Sequence, residues 1–225
     1  MDMNFNKSKL IKRVYLHNPL VETDITDLTD ESKQMINNNI LLTIGQHPLY
    51  PKDSVREETI IDLLKNNKIF AIGEIGLDKR FADFEWQKKV FLNFLEIAHD
   101  FNKPVIIHCV RYYYELLVII KNNFPDLLYI MHSFQGSIDV INAFKKLNVI
   151  YSINKNILKV KNSQKILNEI FEKHNYGFET DIDNEGSHDV LKTMQEIAVF
   201  SNTNLEKLIE NQYNLLHNQF NNSLI

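Results

Sequence analysis

Short apolar runs rich in β-branched residues alternate with longer amphipathic stretches along the chain, and this alternation limits the fold more than any other feature. Arg13–His17, Ile40–His47, Ile69–Asp78, Pro104–Cys109, Leu127–His132, Val149–Asn154 and Tyr176–Asp181 read as strands. They are continuous apolar segments rather than alternating ones, which predicts strands buried on both faces of a parallel sheet. Helices are predicted between and after them at Ser54–Asn66, Asp83–Asn102, Arg111–Asn123, Ser137–Leu147, Asn162–Lys173, Ser187–Phe200 and Asn204–Phe220. The clearest is Asp83–Asn102, where Val90, Phe91, Phe94, Leu95, Ala98 and Phe101 fall at three- and four-residue steps on one face. Asp83 suits its N-cap, and Pro104 stops it.

Strand-then-helix repetition with short connections gives an α/β protein, either a closed (β/α) barrel of the TIM type or an open doubly wound sheet. No Gly-x-Gly-x-x-Gly or phosphate loop follows any strand, so the barrel is favoured. The 225 residues are 44% hydrophobic and 24% charged, and no linker or composition shift divides them, so residues 1–225 are read as a single domain. Lys plus Arg number 25 against 29 Asp plus Glu, and the net charge of -4 argues against a protein that coats nucleic acid or an anionic membrane. One cysteine, Cys109, excludes an internal disulfide framework and fits a reducing compartment. No apolar stretch resembles a signal peptide or a membrane span, so a cytoplasmic protein with no membrane role and no obligate protein partner is expected.

Polar residues gather where the strands end. His17, His47, Glu74 with Asp78, His108, His132 and Asp181 each close an apolar run. In a parallel barrel those ends converge on one face, where catalytic groups collect. Imidazole and carboxylate are the ligands that hold Zn²⁺ and similar divalent ions without thiolates. A single histidine after an apolar run is most often a hydrogen-bonded strand end, and it is the set that points to a metal. His99, His174, His188 and His217 lie on or beside helices and default to surface or packing roles. Cys109 reads as a small buried filler.

These residues carry a resemblance. Gly-Gln-His-Pro at 45–48, Ala-Ile-Gly-Glu-Ile-Gly-Leu-Asp at 71–78, Gln87, Lys-Pro-Val-Ile-Ile-His at 103–108, Met-His-Ser-Phe-Gln-Gly-Ser at 131–137, Tyr-Ser-Ile at 151–153 and Phe-Glu-Thr-Asp at 178–181 occur in this order. Together they resemble the TatD family of metal-dependent hydrolases, and most closely a compact bacterial subgroup. The resemblance implies a barrel of the metal-dependent hydrolase superfamily and hydrolysis of phosphodiester bonds, commonly in DNA, with divalent metal ions (Zn, Mg or Mn). It implies Glu74, His108 and His132 as ligands, Asp181 as ligand or proton acceptor, and His47 as a contact to substrate phosphate or water. Such an enzyme is a nuclease, a deoxyribonuclease in the first instance, whose partner is DNA or another phosphodiester substrate.

The chain departs from the family at its start. The family opens with a His-x-His pair at the end of its first strand, whereas Val14-Tyr15-Leu16-His17-Asn18-Pro19 keeps only His17. A phenol with a pKa near 10 is a poor ligand and Pro has no side-chain donor. One firm metal site and one weaker site, near Asp181 and His17, are expected. The region from His17 to Ile40 is short for a full barrel, and about seven clear strands in a shortened or distorted barrel are predicted. Arg111 and Lys155 are candidate phosphate contacts just beyond strand ends, Arg80 is weighed likewise, and Tyr112, Tyr113 and Tyr114 are candidate stacking groups. The alternatives are a catalytically weak barrel that binds a phosphate-bearing ligand or a protein partner, and a mononuclear hydrolase of another substrate.

Overall fold

The computed structural model describes residues 42–49, 57–66, 69–180 and 190–224, and of Leu42, Glu57, Thr59 and 216–224 the backbone alone. The predicted strand Arg13–His17, with His17 itself, and Asp181 lie outside the described residues. In chain order the elements are β1 (Leu42–Ile44), α1 (Glu57–Lys65), β2 (Ile69–Asp78), α2 (Phe84–Asp100), β3 (Val105–Val110), α3 (Tyr113–Asn123), β4 (Leu128–Met131), α4 (Ile138–Phe144), β5 (Asn148–Ile153), a 3₁₀ turn (Lys155–Lys159), α5 (Ser163–Lys173), β6 (Asn175–Phe178), α6 (Val190–Ser201) and α7 (Leu205–Leu224). Strand and helix alternate as the hydrophobic pattern predicts, with ends displaced by a few residues. No helix among the described residues is long and apolar enough to cross a membrane.

Two compact units are present. The first contains the described residues up to His132 together with Asp139–Val149. Its strands lie in the order β1-β2-β3-β4 and pair in parallel. All ten residues of β2 are buried, as a central parallel strand requires. The β2–β3 register pairs Ile72 with Val105 and then Ile75 with Ile107, so a bulge falls at Gly73 and Glu74. Bulges re-aim side chains, and this one sits at the carboxylate of the strand. Beyond it Gly76, at φ +147°, lies opposite His108 in register. A Cβ at Gly76 would stand 2.0 Å from the His108 carbonyl oxygen. Glycine is what lets the two strands approach closely beside the residues they carry.

α2 shows the local logic of the helices. Asp83 caps it by accepting from the Trp86 N–H at 2.9 Å, and Gln87, Phe91, Phe94, Leu95, Ile97 and Ala98 form its buried face. It ends with Asn102 at φ +48°, where the Lys103 N–H reaches the Ala98 carbonyl at 2.8 Å and the Asn102 N–H the His99 carbonyl at 3.1 Å. This is a Schellman closure with asparagine in the left-handed position. α6 ends in the same way, with Asn202 at φ +55° and the Thr203 N–H on the Ala198 carbonyl at 3.0 Å. Asparagine thus does at these ends what glycine does in many chains, in a sequence holding only 6 glycines.

The second unit contains Ser133–Ile138 and the described residues from Ile150 onward. β5 and β6 pair in parallel from Ile150 opposite Asn175 to Ile153 opposite Phe178. From α7, Gln212 accepts from the Phe178 N–H at 2.9 Å and Asn211 donates to the Tyr176 carbonyl at 2.9 Å, tying helix to strand.

Candidate metal centre

Three strands of the first unit bring polar side chains together, Glu74 from a bulge inside its strand rather than from the strand end. His47 lies three residues past β1, Glu74 stands at the β2 bulge, and His108 is near the end of β3. One ligand atom from each lies within 4.8 Å of the others. The His108 Nδ1 atom is 2.9 Å from Glu74 Oε1 and 3.1 Å from His47 Nε2. His132 follows β4 directly, its N–H bonded to the Ile107 carbonyl at 3.0 Å, and its Nε2 is 3.8 Å from Glu74 Oε1. Glu74, His108 and His132, implied as ligands by the family resemblance, are thus neighbours, with His47 beside them.

The hydrogen-bond partners determine which ring nitrogens carry protons. Each nitrogen of His108 faces an accepting carboxylate, Nε2 at 2.7 Å from Asp78 Oδ2 and Nδ1 at 2.9 Å from Glu74 Oε1, but Nδ1 also faces Nε2 of His47 at 3.1 Å; with the His47 proton there, the His108 proton belongs on Nε2 and Nδ1 presents its lone pair. Nδ1 of His47 accepts from the Leu49 N–H at 3.1 Å, which leaves the proton of the neutral ring on Nε2. Glu74 Oε1 and His108 Nδ1 then face each other as two acceptors and need a shared cation. A proton on His108 Nδ1 would meet that need but would oppose the N–H of His47 Nε2. A metal ion suits this donor set, and the residues present fit one. His47 is better placed to donate than to ligate, because ligation through Nε2 would move its proton to Nδ1, against the Leu49 N–H.

Electrostatics reinforce this arrangement. Burial of Glu74 favours the neutral acid, but the His132 and His108 rings beside it outweigh burial and hold the carboxyl down to about 2. Burial, with the His108 ring beside it, lowers His47 to about 4, so its ring is neutral at pH 7. Asp78, whose side chain is 0% exposed, would be raised by burial, but hydrogen bonds from Arg80 and His108 hold it well below the usual carboxylate range.

With this geometry established, the comparisons with known proteins decide the family. The sequence model of the TatD related DNase family matches residues 5–221. The chain belongs to the TatD family. It is 33% identical over 119 residues to an uncharacterized metal-dependent hydrolase of Methanocaldococcus jannaschii, covering 52% of this chain and 47% of that relative. It is 35% identical over 107 residues to the 3'-5' ssDNA/RNA exonuclease TatD of Escherichia coli, covering 45% and 41%. The chain spans about half the length of these curated relatives. A crystal structure of a TatD homologue from Escherichia coli superposes with a TM-score of 0.72 at 20% identity, over 86% of this chain and 82% of that one. The fold of this TatD-family chain is an α/β barrel of the TIM type, as the strand and helix pattern predicts. Strands β1 to β6 are described, against about seven predicted, and the predicted first strand falls outside the described residues.

The other candidates differ in position. Arg111 is exposed just after β3, at φ +62°. Lys155 is exposed at the start of the 3₁₀ turn, in the second unit. Arg80, weighed as a phosphate contact, instead clamps Asp78 with its Nε at 2.9 Å from Oδ1 and its Nη2 on Oδ2. Tyr112 packs on Phe84 at 5.1 Å with the Lys79 ammonium 5.5 Å above its ring, whereas Tyr114 is exposed. Burial pushes the Cys109 thiol up to about 12, which suits a filler rather than a ligand. His99 is exposed on the last turn of α2.

Sequence reasoning gave Asp78 no role of its own and did not single out Glu179. In the second unit Glu179 is buried and accepts from the Ser133 N–H at 2.7 Å, from the Ser152 hydroxyl at 2.5 Å and from the Asn154 amide at 3.2 Å. The signal for Asp78 was present in Asp-Lys-Arg at a strand end. Glu179 had none, because its partners lie 25 to 46 residues away.

Proposed function

We propose that this TatD-family chain hydrolyses phosphodiester bonds, with DNA as substrate, using a divalent ion held by Glu74, His108 and His132. The observation that carries the reading is the convergence of Glu74 Oε1 on His108 Nδ1 at 2.9 Å and on His132 Nε2 at 3.8 Å. A bound Zn²⁺, Mg²⁺ or Mn²⁺ supplies charge that acidifies water and offsets negative charge on a phosphoryl oxygen. Glu74 contributes an ionised carboxylate, and His108 a lone pair held on Nδ1. His47, neutral and carrying its proton on Nε2, donates to a phosphate oxygen or orients the attacking water. Asp181 accepts the proton of that water and, with His17, forms the weaker second site. Arg111 and Lys155 contact the phosphate backbone. The exonuclease description of the Escherichia coli relative supports a nucleic-acid substrate. The reading treats the chain as one hydrolase domain working in the cytoplasm.

The test is metal analysis of protein purified without chelator, beside hydrolysis of single-stranded DNA. At least one bound divalent ion per chain is expected, with activity abolished by EDTA and by Glu74→Gln. Failure to retain any divalent ion after equilibrium dialysis would overturn the reading. Bound metal without hydrolysis of single-stranded DNA, double-stranded DNA or simple phosphodiesters would favour a barrel that binds a phosphate-bearing ligand, a reading motivated by the absent His-x-His pair.

A further inference from the structure

Asp78 accepts several hydrogen bonds next to the candidate centre. Its Oδ1 accepts from the Arg80 backbone N–H at 2.8 Å and from Arg80 Nε at 2.9 Å. Its Oδ2 accepts from Arg80 Nε at 3.0 Å, from Arg80 Nη2, and from His108 Nε2 at 2.7 Å. The backbone is held as well, since Gln87 accepts from the Asp78 N–H at 2.6 Å and donates to the Asp78 carbonyl at 3.1 Å. Gln87 also donates to the Phe81 carbonyl at 3.0 Å, so one buried amide closes the whole turn after β2. Burying a carboxylate is costly unless donors surround it, and here they come from both sides.

We infer that Asp78, clamped by Arg80 and Gln87, is the positioning residue that fixes His108 as an Nδ1 ligand. The inference rests on the metal reading of the site given above. Asp78 lies on the far side of the His108 ring from Glu74: it bonds Nε2, and Glu74 faces Nδ1. With the N–H of His47 Nε2 directed at His108 Nδ1, the Asp78 carboxylate holds the ring proton on Nε2 and the lone pair stays on the nitrogen facing Glu74. It also raises the basicity of that lone pair, as carboxylates behind metal-binding histidines do. Arg80 acts one step further out. Its half-exposed guanidinium spans both oxygens, so the carboxylate cannot rotate away from His108. In Gly-Leu-Asp-Lys-Arg at 76–80 the Asp and the Arg thus serve the ring of a residue about thirty positions further along the chain.

Nitrogen-15 NMR of the His108 ring in metal-free protein at pH 8, with Zn²⁺ competition titrations, tests this. Wild type should show the proton on Nε2. Asp78→Ala should lose that preference and bind Zn²⁺ ten- to a hundredfold more weakly. Asp78→Asn, which keeps an acceptor without the charge, should fall in between, and Arg80→Gln, at an exposed position, should lose less than tenfold. Circular dichroism checks that each variant folds. A wild-type ring protonated on Nδ1 alone would overturn the inference whatever the variants do. So would folded Asp78→Ala and Asp78→Asn proteins that bind Zn²⁺ within twofold of wild type. Wild type that binds no metal would instead sink the metal reading, while the ring tautomer would still decide the role of Asp78.

Discussion

The Nε2 atom of His47 lies 3.1 Å from the Nδ1 atom of His108, with the two rings meeting edge to face at 64°. They carry opposite duties despite this contact. Leu49 occupies Nδ1 of His47 and Asp78 faces Nε2 of His108, so one ring presents a proton and the other a lone pair toward the same space.

His47→Gln should therefore separate binding from turnover. The amide can still donate, but from a different position. We expect hydrolysis to fall by about a hundredfold, the usual cost of losing one well-aimed donor, with the metal content unchanged. Inductively coupled plasma analysis beside a single-turnover assay measures both. Loss of the metal itself would show that His47 is a ligand.

Acid should weaken the metal-free protein in two steps. His47 is at about 4 when folded against an ordinary 6.5, so between those values the unfolded chain binds the extra proton. Stability should then fall as pH drops from 6.5 to 4, by at most about 1.4 kcal/mol per pH unit. Glu74 is at about 2 against 4.5, so its contribution is full above 4.5 and is lost toward pH 2. Urea midpoints of metal-stripped protein should follow this course. His47→Gln should flatten the upper step alone, and an unchanged profile would refute the assignment.

Gly76→Ala should be severe. The new Cβ would fall 2.0 Å from the His108 carbonyl oxygen at a backbone φ of +147°. Strain and overpacking together suggest a loss of roughly 3 kcal/mol or more in urea unfolding. A loss below about 1 kcal/mol would mean that β2 and β3 separate easily at this point. Zn²⁺ affinity, measured on whatever fraction folds, should fall as well, because His108 would be displaced.

The order of elements and most of the candidate centre were legible in the chain. Apolar runs ending in His47, His108 and His132, and the run holding Glu74 and ending at Asp78, are local patterns, and a parallel sheet gathers the ends of its strands. The Asp83 cap of α2 was equally local, because its acceptor and donor lie three residues apart. His17 and Asp181, also named from strand ends, lie outside the described residues.

What the sequence by itself determined was the succession of strands and helices and the residue types at each strand end, because periodicity and capping act over a few residues. Only the tertiary structure decided that Nε2 of His108 faces Asp78 while its Nδ1 faces Glu74, that Arg80 turns onto Asp78, and that Glu179 holds Ser133, Ser152 and Asn154. Those choices depend on bulge position and strand register, which bring together atoms from residues 30 apart for His108 with Asp78 and 46 apart for Ser133 with Glu179. No window along a single chain contains that register. It follows from which strand packs beside which, and a shift of one residue would turn every one of these side chains to the opposite face.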